Sequence, residues 1–292
     1  MNIRLLVTDL DNTLYDWVTY FVPAFYAMME KASALLSVPL DELLLEMKAV
    51  HQRHESSEHP FSLLDAPIVQ RQLAHLTLDE RKQYLNDAFH AFNKIRKQSL
   101  KLYDGVYDTL QKISRSGAII VAHTDADTAN ALYRIVRLGL AQVISRLYAP
   151  QKSAQSEYKF GDAPAVPGSY VRALPREDRK PNPKLLQDIC RDYDVDPAET
   201  LYIGDSRIRD VLMANNAGVH SALALYGANF DRELWQKLVR VSHWTEADVK
   251  RENELLLHSE EICPDVELAH FSDLLTHFSF GVPKHRGIEQ RA

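Results

Sequence analysis

Residues 3–13 read Ile3-Arg4-Leu5-Leu6-Val7-Thr8-Asp9-Leu10-Asp11-Asn12-Thr13. The first half is a short, β-rich apolar run and predicts a buried strand. The acids that close it would lie at the strand's C-terminal edge, where open α/β sheets bind their ligands. Two carboxylates separated by one residue repel each other unless a cation or a shared proton offsets them. The pair points to a divalent metal site or to nucleophile-plus-acid chemistry. A plain strand-to-turn junction could carry the same letters, so the rest of the chain has to decide.

From Val18 to about Leu100 the pattern is helical throughout. Residues 18–36 are rich in aromatics, Met, Ala and Leu, and 41–54 carry Leu43, Leu44, Met47 and Val50 at helical spacing. A third helix is predicted over 62–75. Thr77-Leu78-Asp79-Glu80 has capping-box spacing and opens a fourth, reaching about Lys97. After Asp104-Gly105 the pattern changes to alternation: helix 106–116, strand 118–122, helix 126–138, helix 183–193, strand 200–203, helix 208–216, strand 219–225. Strands alternating with helices imply crossover connections and a mostly parallel sheet. The expected fold class is α/β: a Rossmann-like parallel sheet core formed by 1–15 and 104–292, with an all-helical cap domain, 16–103, inserted after the first strand. An insertion at that point belongs over the sheet's C-terminal edge, as a lid pivoting near 15–17 and 100–105. Residues 149–179, rich in Pro, Gly, Ser and charge, read as a long surface loop. Residues 246–258 read as an extra charged helix before 266–269 and a short helix near 271–278, and 281–292 as a frayed polar end.

Composition narrows the function. The 292 residues suffice for one large domain or two smaller ones. A net charge of −6 argues against an extended nucleic-acid partner, which needs a basic face, but leaves room for a small phosphorylated substrate held by local cations. No stretch approaches the ~20 apolar residues of a membrane span. Cys190 and Cys263 have no ligand-like spacing, so a reducing, cytoplasmic compartment is expected. No pattern specifies an oligomeric state.

Three later signals converge on the first. The apolar strand 118–122 runs into His123-Thr124, placing a hydroxyl at a second strand end. Lys180-Pro181-Asn182-Pro183 sets a lysine before a helix marked by Asn182 as N-cap and Pro183 at its first position. Leu201-Tyr202-Ile203 runs into Gly204-Asp205-Ser206, with Asp210 one turn into the next helix. Each is weak alone. Their order and their strand-end placement are not readily supplied by chance.

With these four motifs the sequence resembles the haloacid dehalogenase-like (HAD) hydrolase superfamily, in its phosphatase branch with a helical cap between the first and second motifs. The resemblance covers about residues 3–225. It implies Asp9 as the nucleophile that forms an aspartyl-phosphate, and Asp11 as the acid and later the base. Thr124 and Lys180 would bind the phosphoryl oxygens. Asp9, the backbone carbonyl of Asp11, and Asp205 would hold Mg²⁺, with Asp210 and Ser206 behind them. Asp11 argues against dehalogenation, since a departing halide needs no proton. Asp11-Asn12-Thr13-Leu14-Tyr15 looks like the family's pyrimidine 5′-nucleotidase-type members, whereas many sugar-phosphate members have Gly at position 12. A nucleoside 5′-monophosphate is thus one candidate substrate. A sugar-phosphate phosphatase or a phosphomutase is the alternative, and a non-catalytic regulatory or binding protein on the same fold is the alternative of another class. His51, His54 and His59 are expected at a solvated helix end or a substrate-facing polar lip. Tyr20, Phe21, Phe25 and Tyr26 are expected in the core of the helical module.

Overall fold

Leu5–Thr8, the apolar run near the N-terminus, forms strand β2, after a two-residue β1, Asn2–Ile3. The structure, a computed structural model, describes residues 1–59, 61–151, 166–175, 178–245, 250, 254 and 261–283. β2 is joined by β3 (Ile119–His123), β4 (Arg146–Pro150), β5 (Val171–Leu174), β6 (Thr200–Gly204), β7 (His220–Ala224) and β8 (Val266–Leu268) in a seven-stranded sheet of order β5-β4-β3-β2-β6-β7-β8. Every pairing in it is parallel. A parallel sheet is covered on both faces and asks for continuously apolar strands, and every residue of β2 and β6 is buried. A separate pair joins β1 to β9, Ser279–Phe280.

Helices α1 (Trp17–Leu36), α2 (Leu40–His54), α3 (Pro67–Gln72), α4 (Leu78–Tyr84) and α5 (Asn86–Ser99) follow β2. Then α6 (Val106–Arg115), α7 (Thr128–Arg137), α8 (Pro183–Asp192) and α9 (Leu212–Ala217) alternate with strands, and α10 (Arg232–Val241) follows β7. No helix among the described residues is long and apolar enough to cross a membrane.

The chain divides into two units. One comprises 1–15, 102–229 and 255–292 and contains the sheet; the other comprises 16–101 and 230–254. In the sheet unit, register sets Thr8 of β2 beside Ala122 of β3 and Ile203 of β6. Asp9, Thr124 and Asp205 therefore leave three adjacent strands at one edge. In the helical unit, Phe21, Phe25, Met29, Leu43, Met47 and Val50 build an apolar core completed by Leu238 and Val241 of α10. Tyr20, Phe21 and Phe25 are buried there and Tyr26 half-buried, as their spacing implied.

Several elements differ from the sequence reading. Residues 230–254, expected in the sheet core, belong to the helical unit, because Leu238 and Val241 fill its interior. The helix expected over 62–75 splits into a 3₁₀ turn, Ser62–Asp65, and α3, whose first position is Pro67. The helix expected over 77–97 ends at Tyr84 and resumes as α5; its capping box between Thr77 and Glu80 is formed. The loop expected over 149–179 contains β5 and the end of β4; 152–165, 176 and 177 lie outside the described residues. Pro150 and the cluster around Gly168 read as punctuation, which hid both strand segments. The extra helix expected over 246–258 and the polar tail beyond 283 also lie largely outside the described residues.

Candidate active site

Asp9 continues the sheet's pairing by one residue, its N–H donating to the Ile203 carbonyl at 2.9 Å. That bond fixes the backbone from which its carboxylate projects, and the residue is buried. Lys180 reaches Asp9 from the loop before α8. This loop is held at both ends: Asn182 Oδ1 accepts from Leu185 N at 3.2 Å, capping α8, and Asp125 Oδ1 accepts from Lys180 N at 3.3 Å. Lys180 Nζ stands 2.5 Å from Asp9 Oδ1 and 2.8 Å from Asp210 Oδ1. Asp210 is fixed in turn by the Ser206 amide, which donates to its Oδ2 at 3.0 Å. Ser206 caps a single π-type turn, Arg207–Val211, its Oγ accepting from Arg209 N at 3.3 Å. Such turns recur at functional sites. Here it brings Asp210 back toward Lys180.

Asp9, Asp205 and Asp210 each offer a carboxylate oxygen within 4.8 Å of the others. Burial, then the neighbouring Asp210 charge, pushes Asp205 up to about 7. Burial likewise holds Asp9 well above the usual carboxylate range, against the pull of Lys180 and reinforced by Asp210 and Asp205. Burial alone would depress Lys180, but Asp210 and Asp9 win and keep it protonated. One ammonium thus faces three carboxylates, which leaves a local negative excess. A hard divalent cation suits an all-oxygen donor set of this kind.

The backbone leaves no slack around these groups. A Cβ on Gly204 would fall 2.2 Å from Asp210 Cγ, and one on Gly227 would fall 2.0 Å from the Asn12 carbonyl and 2.9 Å from Asp205 Cβ. Both contacts are far inside van der Waals range, so both positions need glycine.

Residues 3–218 match the family described as haloacid dehalogenase-like hydrolase. The chain belongs to that family. It is 24% identical over 237 residues to a glyceraldehyde 3-phosphate phosphatase of Methanopyrus kandleri, covering 79% of this chain and 88% of that one. It is 24% identical over 245 residues to a phosphoglycolate phosphatase of Psychrobacter arcticus, covering 81% and 89%. An N-acetylmuramic acid 6-phosphate phosphatase of Pseudomonas aeruginosa is 25% identical over 228 residues, covering 78% and 84%. Among solved structures, a HAD-hydrolase of Bacillus subtilis bound to magnesium superposes with a TM-score of 0.52 at 14% identity, covering 94% of this chain and 98% of that one. A 2-haloacid dehalogenase of Pseudomonas syringae superposes with a TM-score of 0.51 at 20% identity, covering 94% and 97%. These superpositions establish the shared fold.

In this hydrolase, Asp9, Lys180, Asp205, Asp210 and Ser206 lie together. Thr124 lies buried just beyond β3, its N–H donating to the Tyr148 carbonyl at 3.1 Å and its Oγ1 accepting from Ala126 N at 3.1 Å. The Asp11 carboxylate is turned to a different neighbourhood. Its Oδ1 accepts from Tyr15 OH at 2.7 Å and lies 3.5 Å from Arg134 Nη2.

Sequence reasoning missed Tyr202 and read His123 only as a neighbour of Thr124. Lys180 Nζ lies 5.5 Å from the Tyr202 ring centroid, and the Tyr202 hydroxyl is 3.3 Å from His123 Nδ1. Burial, then the Lys180 charge, holds His123 well below the usual imidazole range, so a neutral ring flanks the lysine. Both residues sat in plain strand sequence. Arg134 was missed too, although its position was a signal: Ala131, Arg134, Ile135 and Leu138 share one helical face, and an arginine on an apolar face calls for a partner. Arg207, beside Asp205 in sequence, pairs with Glu267 and donates to the Ile262 carbonyl at 3.2 Å.

Proposed function

We propose that this hydrolase is a Mg²⁺-dependent phosphomonoesterase that cleaves a small phosphorylated metabolite through an aspartyl-phosphate on Asp9. The observation that carries the reading is Lys180 Nζ between Asp9 and Asp210, at 2.5 and 2.8 Å, with Asp205 alongside. A phosphomonoester dianion cannot approach three carboxylates unless positive charge is fixed among them. Asp9 and Asp205, with the Asp11 carbonyl, would hold Mg²⁺, which supplies that charge when bound.

The protein's own groups account for the rest. Asp9 attacks phosphorus in line, and its second oxygen is steadied by Thr13 Oγ1 at 3.4 Å. Thr124 and Lys180 hold the phosphoryl oxygens, and Asp210 keeps the ammonium aimed. Asp11 gives a proton to the departing oxygen, then takes one from the water that opens the aspartyl-phosphate. The named relatives act on glyceraldehyde 3-phosphate, phosphoglycolate and N-acetylmuramic acid 6-phosphate, which supports a small sugar- or acid-type phosphate here. The nucleoside 5′-monophosphate expectation rested on the run Asp11–Tyr15, with Asn12 where many sugar-phosphate members have Gly, and Asn12 has local roles that do not involve a base: its side chain hydrogen-bonds Asp205. Asn12 sits at φ 58, a left-handed conformation that Gly and Asn share.

The test is steady-state hydrolysis of 4-nitrophenyl phosphate with Mg²⁺ and with chelator, for wild type and Asp9→Asn. Turnover that needs both the metal and Asp9 supports the reading, and sugar phosphates against nucleoside monophosphates then ranks the substrates. Metal-independent turnover, or turnover retained by Asp9→Asn, overturns it.

A further inference from the structure

We infer that Arg134 and Tyr15 are positioning residues that hold the Asp11 carboxylate by one oxygen, so that the other, Oδ2, is the atom that carries the catalytic proton. This deepens the proposed function and rests on it. Arg134 lies on α7 with no solvent exposure at all. A guanidinium so placed costs several kcal/mol unless paired and hydrogen-bonded. Its Nη2 is 3.5 Å from Asp11 Oδ1, and its Cζ stands 5.7 Å from the centroid of the Tyr15 ring. Tyr15, also fully buried, donates its hydroxyl to the same Oδ1 at 2.7 Å.

Three buried or half-buried groups therefore form a closed triangle, with one carboxylate oxygen at its apex. The hydroxyl donates a hydrogen bond and the guanidinium sets its positive charge 3.5 Å away, so negative charge on Asp11 is drawn to Oδ1. Rotation about the Cβ–Cγ bond would break both contacts. Oδ2 then faces one direction in both half-reactions. In the first, the Oδ2–H proton passes to the ester oxygen as its bond to phosphorus breaks and the Asp9 oxygen bonds to phosphorus. In the second, Oδ2 accepts a proton from water as the water oxygen bonds to phosphorus and the Asp9–phosphorus bond breaks. Asp9 and the protonated Asp11 are both regenerated. A carboxyl group free to rotate would point its O–H away from the ester oxygen for part of each cycle.

General-acid help matters in proportion to how poor the leaving group is. Phenyl phosphate, a poor leaver, and 2,4-dinitrophenyl phosphate, which leaves without a proton, separate positioning from mere structural damage. We compare kcat/KM, which reports the first half-reaction, for wild type, Tyr15→Phe, Arg134→Met and Arg134→Lys. The expected result is a loss with phenyl phosphate about tenfold greater than with the dinitrophenyl ester for Tyr15→Phe and Arg134→Met, well within the roughly 10²–10⁴-fold that such proton transfer supplies. Arg134→Lys should recover part of it. Equal losses with both esters overturn the inference. If Arg134→Met fails to fold, Tyr15→Phe, which deletes one oxygen atom, carries the comparison alone. Wild type inert toward both esters overturns the phosphatase reading itself, and the inference with it; that outcome is distinct from an active wild type with equal losses in the variants.

Discussion

Asn12 stands in the left-handed region at φ 58°, between Asp11, whose carbonyl would help hold the metal, and Thr13, whose hydroxyl steadies Asp9. A Cβ-bearing residue there pays steric strain of about 1–2 kcal/mol, which Gly avoids and Asn tolerates. Asn12→Gly should keep the backbone but lose the side-chain hydrogen bond to Asp205, lowering activity without loss of stability, whereas Asn12→Val should in addition lower urea stability by roughly that amount. Gly204 makes the opposite demand, for space. In Gly204→Ala the methyl meets Asp210, so the lysine clamp must shift, and kcat should fall about a hundredfold, as ångström-scale misplacement can cause. Asp205 carries a raised pKa because its charge is buried beside Asp210. Asp205→Asn removes that repulsion, so differential scanning calorimetry in chelator should show a higher Tm than wild type while activity disappears. Sequence alone exposed Asp9, Lys180, Asp205 and Asp210, since motif spacing is a linear property. It hid Tyr15 and Arg134, because the triangle they make with Asp11 closes only when α7 packs beside the loop after β2.

Elements repeat the contrast between local and long-range information. β2, β3, β6 and β7 were legible because each is an apolar run bounded by turn residues. α10 was not read, although Asp231 caps it by accepting from Glu233 N and Leu234 N at 2.8 and 3.0 Å. Its partner is α2, some 190 residues away: His51 Nδ1 meets the Val241 carbonyl at 2.6 Å. The expectation of a solvated helix end holds only in part, since His51 is fully buried against Phe25, with ring centroids 5.2 Å apart. His54 stacks on His59 at 3.7 Å and bonds Asp65 at 2.8 Å. Burial, opposed by the Val241 carbonyl and aided by the charges of His243, His54 and His59, lowers His51 to about 4. The unfolded chain, with an ordinary imidazole near 6.5, binds the proton first as pH falls. Stability is therefore complete above pH ~6.5 and drains away toward pH ~4, by about 3 kcal/mol. His51→Gln keeps a donor for Val241 but cannot titrate, so its urea midpoint should be flatter than wild type's across that window.

At the scale of the whole molecule, the peptide crosses between the two units after Tyr15, Lys101, Asn229 and Glu254. From the switch between helical and alternating patterns the sequence reading placed two crossings, after residues 15 and 103, against 15 and 101 here. The last two were not placed, because nothing in 230–254 differs in composition from a peripheral helix of the sheet unit. The segment matters energetically: Leu238 and Val241 are buried in the helical core. A fragment of residues 16–101 should accordingly be molten by near-ultraviolet circular dichroism, and adding a peptide of 230–254 should restore fixed aromatic packing.

The same divided construction has a consequence for how the molecule is made. Translation delivers α1 to α5 early, yet the piece that seals them emerges only after the strands β3 to β7 have left the ribosome. During that interval a nascent chain carries an open apolar seam where Leu238 and Val241 will later sit. Chaperone demand should peak there, and it should vanish in a circular permutant that synthesises 230–254 directly beside 16–101.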